Sequence, residues 1–176
     1  MKFVVFWCAI GFSMAACGVL EKSVTYPCAN VLMLQDGKKL VKFKTGSRRD
    51  ITDILFEAEI LNFEGSCKYE KRARKWETQI DLIVRFLVRR DNATKSEATE
   101  FKYFVAITSP KGRMEGKSIF PVIGTFKEKR SILVYEDSID LRIPLDNPTE
   151  GATLKVLLGF QLSPEELQYN RDKGKN

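Results

Sequence analysis

The chain has 176 residues, of which 29 are Lys or Arg, 23 are Asp or Glu and none is His; its formal net charge is +6, and 44% of it is apolar. That length suits one domain, able to bury about 70% of the surface its unfolded chain exposes, and the apolar content is too high for disorder. Having no His excludes Ser-His-Asp, Cys-His and HExxH mechanisms, and most hydrolase readings go with them.

Met1 and Lys2 precede an apolar run from Phe3 to Phe12, and then come Ser13, Met14, Ala15, Ala16 and Cys17. A basic start, a short apolar run and small residues predict a secretory signal. Met14-Ala15-Ala16-Cys17 resembles the lipobox of bacterial lipoproteins, in which small residues let the peptide lie extended in a narrow peptidase cleft. The resemblance implies a diacylglycerol on the Cys17 thiol and removal of residues 1–16, although Met14 stands where that family most often has Leu. An ordinary signal cut after Ala15 or Gly18, with Cys17 free or disulfide-bonded, is the alternative. A plain membrane anchor fits less well, because the apolar stretch falls short of the roughly 20 residues that span a bilayer. Two or three acyl chains, at about 0.8 kcal/mol per buried CH₂, hold a protein on a membrane for long times. By the sorting rule of Gram-negative lipoproteins, a residue other than Asp after the Cys, here Gly18, permits transfer to the outer membrane, so the resemblance implies a place there, facing the periplasm. The division that follows is 1–16 signal, 17–27 lipidated N-terminus and tether, 28–170 domain and 171–176 charged tail.

Cys8 leaves with the signal and Cys17 is acylated, so Cys28 and Cys67 remain. An even pair in an exported protein favours a disulfide, with two separate buried thiols as the alternative. Two Cys without His fall short of the four ligands of a structural zinc, and neither metal nor other cofactor is expected.

The domain reads as β almost throughout. Val31–Leu34 and Val41–Phe43 flank Gln35-Asp36-Gly37-Lys38, a hairpin signal. Ile54, Phe56, Ala58 and Ile60 share one strand face, Gly65 and Ser66 are read as a turn, and Cys67 and Tyr69 then face the core. Ile80, Leu82, Val84, Phe86 and Val88 give the clearest period of two, and Phe101, Tyr103, Val105 and Ile107 repeat it. Pro110 and Gly112 predict a turn. Further strands are expected at 119–126, where Pro121 points to an edge or bulge, at 132–135, at 139–145 and over Leu154–Leu162. Ser163-Pro164-Glu165-Glu166 is a capping-box pattern that starts one short helix, whose Leu167 and Tyr169 are expected on the final strands. Eight or nine antiparallel strands with almost no helix predict an all-β, two-sheet sandwich of immunoglobulin- or fibronectin-like type.

The lipobox-like Cys17, the Tyr26-Pro27-Cys28 run, the segment from Asp53 to Cys67 and Tyr69, Tyr103-Phe104-Val105-Ala106 and above all Gly159–Arg171 carry a resemblance to an uncharacterised family of alphaproteobacterial lipoproteins. It implies compartment and anchoring and brings no catalytic residue.

Lys68, Lys71, Arg72, Arg74 and Lys75 crowd one segment, with basic pairs at Arg48-Arg49, Arg89-Arg90 and Lys129-Arg130. Such residues suit lipid phosphates or other anionic envelope polymers, against the plainer reading of solvated strand ends and loop tips. Nucleic acid is not an expected partner of an exported, acylated protein. Glu57 and Glu59 lie on one strand face and so do not oppose each other across a substrate as a glycosidase pair must. Asn92-Ala93-Thr94 is read as a loop and Tyr169-Asn170-Arg171 as a packed helix end. The function expected is therefore a non-catalytic, lipid-anchored structural or interaction module with an envelope protein partner. The rival is a periplasmic or outer-membrane β protein that holds an apolar ligand between its sheets.

Overall fold

The computed structural model describes residues 25–46, 50–90, 98–127 and 130–173. The expected signal, Cys17, Arg48, Arg49, Asn92-Ala93-Thr94 and Lys129 lie outside the described residues. Among the described residues eight strands form two four-stranded sheets, the sandwich expected from the sequence. One sheet runs β1 (Asn30–Met33), β8 (Lys155–Phe160), β5 (Ala98–Thr108), β6 (Met114–Thr125); the other runs β2 (Lys39–Phe43), β3 (Ile54–Arg72), β4 (Lys75–Arg89), β7 (Ile132–Leu145).

Alternation builds the core. Ile80, Leu82, Val84, Phe86 and Val88 are at most 2% exposed along β4, and they meet Phe101, Tyr103 and Val105 of β5 and Val156, Leu158 and Phe160 of β8. The Phe86 ring lies 4.9 Å from that of Tyr103 and 5.9 Å from that of Phe160, so aromatic contacts fill the space between the sheets. Tyr103 donates from its hydroxyl to Asp137 Oδ2 of β7 at 2.7 Å, across the sandwich. Burial first, and then this bond, push the Tyr103 hydroxyl well above the usual tyrosine range. In the unfolded chain Tyr103 ionises near pH 10 while in the folded chain it stays protonated, so stability falls as pH rises past about 10. Tyr103→Phe is expected to flatten that alkaline slope in melts across pH 8–11, and to cost about 1 kcal/mol at neutral pH by leaving Asp137 without its donor.

Three expectations about the chain path need correction. Asp36-Gly37 makes no hairpin: a 3-10 turn at Gln35–Gly37 carries the chain from one sheet to the other, and β1 pairs with β8 in parallel while β2 pairs with β3. A Cβ on Gly37 would sit 3.4 Å from Gly159 Cα, so this Gly serves a close approach of the turn to β8. Because the chain crosses over instead of folding back, β1–β8 is a parallel pair in an otherwise antiparallel set. Gly65 and Ser66 make no turn either, for β3 runs unbroken to Arg72 and the chain reverses at Ala73, whose φ of 55° is left-handed. Residues 132–145, expected as two strands, are one 14-residue edge strand. Pro121 does lie on an edge strand, β6, as its missing N–H requires.

The helix α1 (Pro164–Lys173) starts as its capping box predicts. Glu166 N–H donates to Ser163 Oγ at 3.2 Å, and Ser163 N–H donates to Glu166 Oε2 at 2.8 Å. Its docking differs from expectation. Tyr169 packs edge-on against Phe43 of β2, Lys42 pairs with Glu166, and Asn170 donates to the Asp36 and Lys39 carbonyls. Arg171, expected in a fraying tail, lies in the helix and donates to Asp36 Oδ2 at 3.0 Å. The helix thus clamps the crossover turn, and Leu167 is half-buried beside it. Ser163→Ala is expected to lower stability by about 1 kcal/mol in denaturant melts.

Candidate functional site

The two ends of the sandwich hold different things. The described chain enters at the end where β1, β8 and β4 begin and β3, β5 and β7 finish. There Cys28 is bonded to Cys67 of β3, with their Cα atoms 5.8 Å apart. Cys67 faces inward because of a bulge: Ile60 lies opposite Phe86 but Asn62 lies opposite Arg85, leaving Leu61 as an extra residue. Inward positions are even up to Ile60 and odd from Phe63 onward, which brings Cys67 and Tyr69 to the margin of the core. The bond sits at that margin, since Cys67 is half-buried and Cys28 exposed.

Aromatic rings close this end around the disulfide. Tyr26 packs edge-on against Tyr69 at 5.4 Å and against Trp76 at 5.7 Å, and the Tyr69 hydroxyl donates to the Pro27 carbonyl at 2.7 Å. Part of the expected tether is therefore built into the fold. The five basic residues singled out from the sequence, Lys68, Lys71, Arg72, Arg74 and Lys75, surround the β3–β4 turn above these rings. Lys71 Nζ lies 5.7 Å over the Trp76 ring. Arg72 pairs with Glu70 at 3.0 Å, which holds the Glu70 carboxyl below the usual range and raises the guanidinium. Lys68, Arg74 and Lys75 form no ion pair among the described residues, and all three are exposed.

The register adds residues that sequence reading did not group with them. Lys155 starts β8 opposite both Asn30 and Thr108, and Lys111 and Arg113 lie on the β5–β6 turn at the same end. Arg113 pairs with Glu115. The other expected basic residues are elsewhere: Arg89 and Arg90 close β4 at the opposite end, beside Lys127 and Arg130. Arg90 is engaged structurally, with Nε donating to the Arg130 carbonyl and its guanidinium over the Phe126 ring. Along the 15-residue β4 the two ends are about 50 Å apart, several Debye lengths at physiological salt. They are two separate basic surfaces.

Glu57 is exposed and Glu59 pairs with Lys38 at 3.4 Å, an arrangement without a facing carboxylate. Among the described residues no group of three or more His, Cys, Asp or Glu could hold a metal ion, and no helix is long and apolar enough to cross a membrane. Two openings stand out. A cleft of about 510 Å³ lies between α1 and the crossover turn, with Leu34, Phe104, Leu162 and Leu167 as walls and Gln161 and Arg171 at its polar side. A smaller groove of about 270 Å³ opens between the edge strands β6 and β7, beside Ile123, Leu133 and Tyr135. Comparisons with family models, curated proteins and solved structures found no match.

Proposed function

We propose that the chain is an exported, lipid-anchored protein of a bacterial envelope, acylated at Cys17 and held on the outer membrane facing the periplasm. Its sandwich acts there as a non-catalytic structural or interaction module with an envelope protein as partner. The observation that carries this reading is the Cys28–Cys67 bond. It uses up two of the three cysteines that remain once Cys8 has left with the signal, so Cys17, the third, has no disulfide partner in the mature chain and its thiol is free for the acyl group that its lipobox-like setting invites. A disulfide also suits an oxidising compartment beyond the inner membrane. The resemblance to alphaproteobacterial lipoproteins, carried by Cys17 and the Gly159–Arg171 segment, supports the same placement.

Cys17→Ser is expected to abolish labelling with radioactive palmitate and to release the protein from the membrane fraction; labelling that persists in the variant rejects the anchor. Membrane-permeable crosslinking followed by mass spectrometry then identifies the partner.

A second reading, binding of an apolar ligand, draws on the cleft beside α1. Aromatic side chains fill the space between the sheets, so the ligand site moves to this outer cleft, whose size suits a small molecule.

A further inference from the structure

We infer that the end of the sandwich formed by the β3–β4 turn is a docking surface for anionic phospholipid headgroups, the second contact through which this protein holds its membrane. The inference rests on the lipid-anchor reading for its geometry, and its chemistry comes from the described residues. The stretch from Cys17 to Thr25 spans at most about 28 Å, so an anchored chain presents first to the bilayer the end that carries Tyr26 and Cys28. That end bears Lys68, Arg74 and Lys75 without ion-pair partners among the described residues, and Lys71 lies over Trp76. Lys155 and the β5–β6 turn with Lys111 widen the cationic area beyond a single hairpin tip. Tyr26 and Trp76 lie directly beneath the charges, a pairing of amphipathic rings with basic side chains that suits the boundary between headgroups and water. The opposite end, with Arg89, Lys127 and Arg130, is about 50 Å away and out of electrostatic reach of the same surface. Tethering makes the contact intramolecular, so a modest attraction per residue is enough to keep the domain down on the bilayer.

Trp76 supplies the readout, because the sequence holds two Trp and the other, Trp7, leaves with the signal. The mature protein, purified from membranes, is reconstituted into phosphatidylcholine vesicles with or without phosphatidylglycerol, each also prepared with brominated acyl chains. The expected result is Trp76 quenching only where phosphatidylglycerol is present, reversed by high salt. Lys68→Glu/Arg74→Glu/Lys75→Glu should remove the quenching, the docking equilibrium constant falling about fivefold for each basic residue lost. Arg89→Glu/Lys127→Glu/Arg130→Glu, with the same change in net charge at the other end, should leave it intact. Equal quenching in both lipids, or equal loss in both triple variants, overturns the inference. Failure of the anchor reading looks different: the protein would not associate with phosphatidylcholine vesicles at all, while binding to phosphatidylglycerol vesicles that only the first triple variant loses would still uphold the headgroup surface.

Discussion

Replacing Cys28 and Cys67 together by Ser is expected to lower the stability of the domain by about 4 kcal/mol, a large share of what a domain of this size possesses. The bond joins positions 39 apart in sequence, and opening a loop of that length returns most of this amount to the unfolded chain as entropy. The folded state gives up more than the bond itself. Cys28 leads into the parallel edge strand β1 of one sheet and Cys67 lies on β3 of the other, so the bridge ties the two sheets together at the end where the chain enters. Four-residue β1 is a short edge strand, and its hold on β8 depends on that tie. Urea melts of the oxidised protein, the reduced protein and the double Ser variant check this: the last two should coincide, well below the first. A loss under about 1 kcal/mol would mean that the Tyr26, Tyr69 and Trp76 contacts hold the N-terminal segment unaided. Because Cys28 is exposed, the oxidised protein should also yield to a small thiol reductant without prior unfolding.

The strands were legible wherever one face of the sheet meets the core and the other meets water. Ile80 to Val88 on β4 and Phe101 to Val105 on β5 alternate in the sequence and alternate in burial. The capping box at Ser163 was legible for a similar reason: both of its bonds are made within four residues. What local pattern does not encode is where a strand goes next. Asp36-Gly37 satisfies a hairpin and a crossover turn alike, and the choice is made by the contact of Gly37 with Gly159, more than a hundred residues further on. Cys67 and Tyr69 were read as inward although they are odd-numbered and the inward residues Ile54 to Ile60 are even, a change that a turn at Gly65 explains as readily as a bulge at Leu61. Pairing of β3 with β4 over its whole length selects the bulge. The candidate surface was half legible for the same reason. Five basic residues close in sequence stood out, whereas Lys111, Lys155 and Tyr26 join them only through strand register and the disulfide.

Gly151→Ala is expected to cost about 3 kcal/mol, far more than Gly→Ala normally does on a surface turn. Gly151 belongs to the 3-10 turn Pro148–Thr153 between β7 and β8, and it is buried under Tyr69. A methyl group there would meet the Tyr69 ring at 2.8 Å from both Cζ and Cε1, and would meet the hydroxyl oxygen still more closely. Tyr69 has little room to retreat. Its hydroxyl is bound to the Pro27 carbonyl, Tyr26 packs on its ring, and Cys67 two residues earlier is fixed by the disulfide. The ring must therefore leave its site, which combines an overpacking cost of about 1–3 kcal/mol with the loss of a hydrogen bond worth roughly 1 kcal/mol. Gly116→Ala, where a Cβ meets nothing within 4 Å, is the control and should change stability by no more than about 0.5 kcal/mol. A cycle separates this clash from any intrinsic preference of the turn for Gly. In a Tyr69→Leu background the ring is already gone, and adding Gly151→Ala should then cost less than about 1 kcal/mol in urea melts. If the full cost persists in that background, the turn itself demands Gly, and Tyr69 is merely a neighbour. If it vanishes, the β7–β8 turn, the chain entry and β3 are one packed unit, the rigid support on which the basic turn above them is carried.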